Sequence, residues 1–338
     1  CRRISCFLRC LMYLNRKFLL SFLFAALCLG GCSTAQTGFL GMAPRGDRQD
    51  YIHARDLYNE GHYTEAVAEL SDYIYKTKNV KRREARAYRL LGKSYEQLGN
   101  LSKALDIYLE ALEFHPDNVP LLLAAASLYQ RTELTNRSMD LYNQVLQREP
   151  NNLEALTGQA VNYNTLGFYS KARYYYDRFF ALNPQAEPKY RARYANTFLS
   201  QSNYQEAFIH ITMALMQDNS SPDFWLVSAK AARGLQLYHK ALEDINAALL
   251  LAPKREDLLA NKALWQNEAG QYKESIQTAK EILKISQKNQ LAFFILAMDE
   301  YNTGNPKSAR RHMQAVKEQN PETFIGRVAS KLLADNPL

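Results

Sequence analysis

A period governs this chain. Tyr63-Thr-Glu-Ala66 returns as Leu101-Ser-Lys-Ala104, Thr135-Asn-Arg-Ser138, Tyr169-Ser-Lys-Ala172, Tyr204-Gln-Glu-Ala207, Tyr238-His-Lys-Ala241, Tyr272-Lys-Glu-Ser275 and Pro306-Lys-Ser-Ala309. The closing small residues are spaced 38, 34, 34, 35, 34, 34 and 34 apart, which is the mark of stacked supersecondary units. Twelve residues before each stands another small residue: Ala54, Gly92, Ala126, Ala160, Ala195, Ala229, Ala263 and Ala297. Two antiparallel helices approach closely only where neither carries bulk at the crossing. Pro116, Pro150, Pro184, Pro253 and Pro321 follow the second small residue by twelve and end the second helix, since proline disfavours helix in the residue before it. Asn219 and Gln287 hold that place in two units. Gly61, Gly99, Gly167, Gly270 and Gly304 mark turns between helices. Tyr95, Tyr129, Tyr163 and Phe198 on first helices, and Tyr108, Tyr142, Tyr176, Ile211 and Ile245 on second helices, supply the larger core side chains.

These small, small, aromatic and proline positions resemble those of the tetratricopeptide repeat family over about residues 47–323. The pattern predicts an all-α solenoid of eight helix hairpins. The resemblance implies a right-handed superhelix with a concave groove that holds a protein or peptide partner. The first unit departs most, with Leu57 in place of the tyrosine and four extra residues around Lys81 to Glu84. The basic run Lys76, Lys78, Lys81, Arg82 and Arg83 reads as a solvated helix extension. Residues 324–338 are expected to cap the stack through an amphipathic helix over Phe324 to Leu333, with Val328 and Leu332 inward and Arg327 and Lys331 outward.

All five cysteines, Cys1, Cys6, Cys10, Cys28 and Cys32, stand in the first tenth of the chain, so neither disulfides nor a cysteine metal site support the repeats. Asn15-Arg16-Lys17 precedes an uncharged run from Phe18 to Leu29, the order of a charged and then an apolar leader region. The run is short for a bilayer span. Ending in Leu29-Gly30-Gly31-Cys32, it resembles the lipobox of bacterial lipoproteins, which implies residues 1–31 as signal peptide and Cys32 as the lipid-bearing first mature residue; the alternative is an ordinary secretory signal. Residues 1–11 are expected to lie upstream of a true start at Met12. Residues 32–46, with Pro44 and small residues, read as a tether. Arg2, Arg3, Arg9, Arg16 and Lys17 belong to the leader, and without them the formal charge of +8 falls to a basic excess of three, which gives no electrostatic case for nucleic acid.

No catalytic pattern stands out. His53, His62, His115, His210, His239 and His312 are scattered over the units, and no pair has the i, i+4 spacing of a helical metal site. There is no phosphate loop and no nucleophile elbow. The chain is expected to be no enzyme and to need no cofactor. In the run Tyr174-Tyr175-Tyr176 with Phe179 and Phe180, helical periodicity sends Tyr176 and Phe179 into the core and leaves Tyr175 and Phe180 as outward candidates.

In the family resembled, the groove is lined by set positions of each first helix. Here they carry Arg86, Arg89 and Lys93 in the second unit, Lys189, Arg193 and Asn196 in the fifth, and Lys230 and Arg233 in the sixth. These side chains either hold an acidic segment through charge-assisted hydrogen bonds or serve as solubilising groups on a wet surface. The family's two-carboxylate clamp is not present, because Leu123, Ser127 and Gly158 stand at its earlier positions. Phe294, Met298 and Tyr301 make the eighth unit more apolar, either to take a partner or to be covered by the cap. The resulting expectation is a non-catalytic scaffold, lipid-anchored in the outer membrane and facing the periplasm. It would assist assembly of an envelope complex such as a pilus or secretin, by analogy of architecture with the lipoproteins of those systems. A scaffold for exopolysaccharide export or for peptidoglycan hydrolases is the alternative.

Overall fold

The computed structural model describes residues 45–76 and 84–334. The leader, Cys32, the tether as far as Pro44, and Lys78, Lys81, Arg82 and Arg83 of the basic run lie outside the described residues. Contacts divide the chain into two compact units, Cys1–Gln49 and Asp50–Leu338. Of the first, only Arg45–Gln49 is described, as helix, so helix begins inside the stretch read as tether.

The described residues form 17 helices and no strand. They run as α1 (Arg45–Asn59) and α2 (Tyr63–Lys76), α3 (Ala85–Gln97) and α4 (Leu101–Phe114), α5 (Val119–Arg131) and α6 (Thr135–Arg148), α7 (Leu153–Thr165) and α8 (Tyr169–Leu182). The series continues with α9 (Pro188–Ser200) and α10 (Tyr204–Gln217), α11 (Pro222–Gly234) and α12 (Tyr238–Leu251), α13 (Glu256–Glu268) and α14 (Tyr272–Ile285), and α15 (Gln290–Asn302) and α16 (Pro306–Gln319), then a final α17 (Phe324–Ala334). Each second helix packs on the next first helix, and neighbouring first helices touch along most of the stack. The fold is an all-α solenoid.

The small residues do what their spacing demands. The alanines and serines of all eight pairs are fully buried. At Gly92 a Cβ would stand 2.2 Å from the Tyr108 ring, so only glycine admits that tyrosine. Tyr108, Tyr129, Tyr142, Tyr176, Phe198, Ile211 and Ile245 are buried, each worth about 1.5–3 kcal/mol relative to exposure. Tyr95 and Tyr163 are half-buried, with the ammonium groups of Lys103 and Lys171 over their rings at 5.6 and 5.2 Å.

Every hairpin turn has one backbone solution. The N–H two residues past the first helix's cap bonds a carbonyl five residues back, as in His62 to Leu57, Asn100 to Tyr95 and Leu134 to Tyr129. The preceding residue is left-handed. Five turns use glycine there; Glu133, Ser202 and Gln236 take the same conformation at φ 62°, 56° and 62°. Second helices end alike with proline or without it: α10 stops at Gln217 before Asn219 and α14 at Ile285 before Gln287.

The last helix starts 34 residues after α15 and occupies the place of a further first helix. Ile325, Leu332 and Leu333 pack with buried Ala329 on Ala297, Met313 and Val316. Val328, expected inward, is half-buried and outside this cluster. The helix docks by its thinnest stripe, with Gly326 so close that a Cβ would lie 2.0 Å from the Asn320 carbonyl oxygen.

Candidate functional site: a recess in the groove

Three consecutive first helices, α5, α7 and α9, frame a recess of about 640 Å³. Its floor exists because of Gly158. A Cβ there would stand 2.3 Å from the Tyr142 ring, so the missing side chain lets this second-helix tyrosine reach the groove from beneath. Leu153, Val161, Phe179, Ala186 and Tyr190 form apolar walls, and Ser127, Glu154, Thr157 and Arg193 bring polar groups. The Tyr142 phenol is hydrogen-bonded by Ser127, and burial, with the nearby Glu154 carboxylate adding to it, pushes its pKa up. It is therefore a neutral hydroxyl at physiological pH.

The floor is held from behind. Gln130 Nε2 donates to the Gly158 carbonyl oxygen at 3.0 Å and to Asn162 Oδ1 at 2.6 Å. Asn162 Nδ2 in turn donates to Ser138 Oγ at 2.9 Å, and Gln159 Nε2 donates to the Met139 carbonyl oxygen and Asn143 Oδ1. These buried bonds tie hairpins three and four together and fix the recess before any ligand arrives.

The sequence-predicted cations divide into two kinds. Lys189 Nζ lies 2.7 Å from Glu187 Oε2, Arg86 pairs with Glu84 while lying over the Tyr51 ring, and Arg233 makes a two-pronged pair with Glu268 of the next hairpin, Nε to Oε2 at 2.9 Å. Those charges are answered within the protein. Arg193 and Lys230 are exposed and have no carboxylate partner among the described residues; Asn196 is exposed on the same helix as Arg193. Arg193 stands over the Tyr190 ring at 5.9 Å and lines the recess. Helices α9 and α11 touch, so Lys189, Arg193, Asn196, Lys230 and Arg233 stand on adjacent first helices. Arg86, half-buried Arg89 and exposed Lys93 sit on α3, two first helices away from α7.

Sequence reasoning missed Tyr142, Glu154 and Tyr190 as lining residues. The signal available was Gly158, a glycine at a groove position inside a helix. One other expectation needs correction. Tyr175 is half-buried and stacked on Tyr163 at 5.5 Å, and Phe180 is half-buried between Tyr176 and Tyr194. The outward member of the run is Tyr174, 56% exposed, because the helix turns that position away from both neighbours. In the eighth hairpin Phe294 and Met298 pack in the cluster under the cap, and only Tyr301 stays exposed. Among the described residues no cluster of His, Cys, Asp and Glu could hold a metal ion, and no helix is long and apolar enough to cross a membrane.

Stacked hairpins with a groove on the first helices define a class of helical repeat protein. A tetratricopeptide repeat family model matches residues 51–119. The crystal structure of the APC/C hetero-tetramer Cut9-Hcn1 is similar with TM-score 0.58 and 16% identity, covering 86% of this chain and 55% of that one; this chain thus spans about half its length. A tetratricopeptide repeat protein from Parabacteroides merdae ATCC 43184 aligns at TM-score 0.43 and 16% identity over 86% of this chain and 98% of that one. YrrB, described as a TPR protein with an unusual peptide-binding site, aligns at 0.47 and 15% over 56% and 98%. No curated protein sequence matches. The tetratricopeptide repeat family is supported by the sequence match over the first two hairpins and by the fold over the rest.

Proposed function

We propose that this protein is a non-catalytic scaffold whose groove holds an extended segment of a protein partner at hairpins three to six. The tetratricopeptide fold suggests a protein-interaction scaffold. The observation that carries the finer reading is the recess under Gly158, where Glu154 and Arg193, neither in an ion pair among the described residues, flank apolar walls and a buried phenol. An extended peptide offers the matching chemistry, with a side chain for the apolar recess and backbone or acidic groups for Arg193, Asn196 and Lys230. Because the recess is built and held beforehand, little ordering is left to the moment of binding on this side.

The partner reading extends to place. With Cys32 acylated, the solenoid would be tethered to the periplasmic face of the outer membrane and would present its groove to an envelope complex under assembly, such as a pilus or secretin. Export of exopolysaccharide, or positioning of peptidoglycan hydrolases, is the second setting; the basic groove and lipobox-like Cys32 suit both. Two measurements test this. Affinity capture from solubilised envelopes with Arg193→Glu/Lys230→Glu should lose the partner at least tenfold against the wild type, since each charged hydrogen bond contributes about 1.5–3 kcal/mol. Unchanged recovery rejects the groove. Metabolic labelling with a fatty-acid probe should mark the wild type and not Cys32→Ser; absence of label from both rejects the anchor.

A further inference from the structure

The second helices turn a row of positions to the outside; in α4, α6 and α14 that row is wholly polar, and in every second helix but α10 it holds at least one polar or charged side chain. Counted from the small residue of each second helix, the positions two, six and nine residues on are Asp106, Glu110 and Glu113 in α4, and Gln277, Glu281 and Lys284 in α14. In α10 they are Ile209, Met213 and Met216, exposed by 43, 43 and 83%. The opposite face of the same helix buries Ala207, Ile211 and Ala214. Beside exposed Gln205, Thr212 and Gln217, the outer row of α10 is thus an apolar stripe without a cover among the described residues. The apolar surface spreads one helix to each side, to Tyr174 on α8 and to Leu250, 83% exposed, on α12.

We infer that the outer face of α10, with Tyr174 and Leu250 beside it, is the contact surface for a second copy of this chain. This surface lies on second helices, so it is separate from the groove. The five side chains leave on the order of 600 Å² open, approaching the roughly 800 Å² that each partner contributes to a stable interface. An apolar patch of this size is at the upper end of what a monomer's surface carries and is often functional. A two-fold axis along α10 lays Ile209, Met213 and Met216 on their own counterparts, as an isologous contact requires. The same axis sets α8 of one copy against α12 of the other. A membrane surface fits less well, because α10 contains no lysine or arginine to meet lipid headgroups.

The test uses the full chain in cells. Two forms with different epitope tags are expressed together, each carrying a photo-reactive benzophenone residue at Met216, and irradiated. The expected product carries both tags; the same residue placed at Lys284 should give at least tenfold less. Leu250→Glu combined with the probe should lower the doubly tagged product several-fold, while circular dichroism of that variant stays unchanged because the side chain is on the surface. Cross-links from position 216 only to other proteins or to lipid, none at all, or a yield indifferent to Leu250→Glu would overturn the assignment.

Discussion

Glu133, Ser202 and Gln236 hold a left-handed backbone that glycine adopts without strain and other residues at a cost of about 1–2 kcal/mol. Replacing each by glycine should therefore stabilise the chain, by roughly 0.5–1 kcal/mol after glycine's extra unfolded-state entropy is subtracted. Urea titration of the three single variants checks this, with Gly167→Ala expected to move the midpoint the opposite way. Gly158 makes the reverse prediction: Gly158→Ala drives a methyl into Tyr142, and overpacking of this kind costs about 1–3 kcal/mol. Tyr142→Phe should leave stability closer to that of the wild type and yet weaken partner capture, since it removes only the hydroxyl at the floor of the recess. The small residues and prolines were legible in sequence because the small pair recurs in all eight hairpins and the proline in five. Gly158 and the three strained turn residues occur once per position, and periodicity says nothing about exceptions to itself.

At the scale of the element, the packing of α8, α9 and α10 is the unusual place. His210 stacks on Phe198 at 5.3 Å and lies 4.5 Å from Tyr194. Arg173 covers the Phe198 ring and Arg191 the Phe180 ring, while Tyr194 donates to Asp177 Oδ1 at 2.5 Å. Burial, and after it the Arg191 charge, lowers the His210 pKa below its ordinary 6.5, against the smaller opposing pull of Glu206 and Asp177, and Arg173 adds to the lowering. The unfolded chain then binds the proton more readily than the folded one. This group's penalty is absent above pH 6.5 and grows as pH falls from there toward the lower folded value. Urea midpoints measured at pH 7.5 and pH 5 should thus drop more for the wild type than for His210→Phe. The Arg233 to Glu268 pair sets a caution for groove mutagenesis. Arg233→Glu removes a tie between hairpins six and seven, so Arg233→Glu/Glu268→Arg should recover whatever stability the single change loses, which for so exposed a pair is about 0–1 kcal/mol. Helical spacing reads Arg233 and Lys189 as groove positions. Their carboxylate partners come from a loop and from the next hairpin, which a single helix pattern does not contain.

For the whole molecule, stability is a sum of interfaces between neighbouring hairpins. Removing α17 uncovers Ala297, Met313 and Val316 and should loosen the eighth hairpin first, seen as amide exchange rising in α15 and α16 ahead of α7 and α8. The stack presents two surfaces of opposite character: a groove with few unpaired cations beside a prepared recess, and an outer apolar strip centred on α10. If the recess and its flanking charges grip the partner, hydrogen exchange of the chain alone and with the captured partner will show added protection along α5, α7 and α9, with little change in α14. Protection confined to the second helices, or none on those three first helices, would contradict that grip.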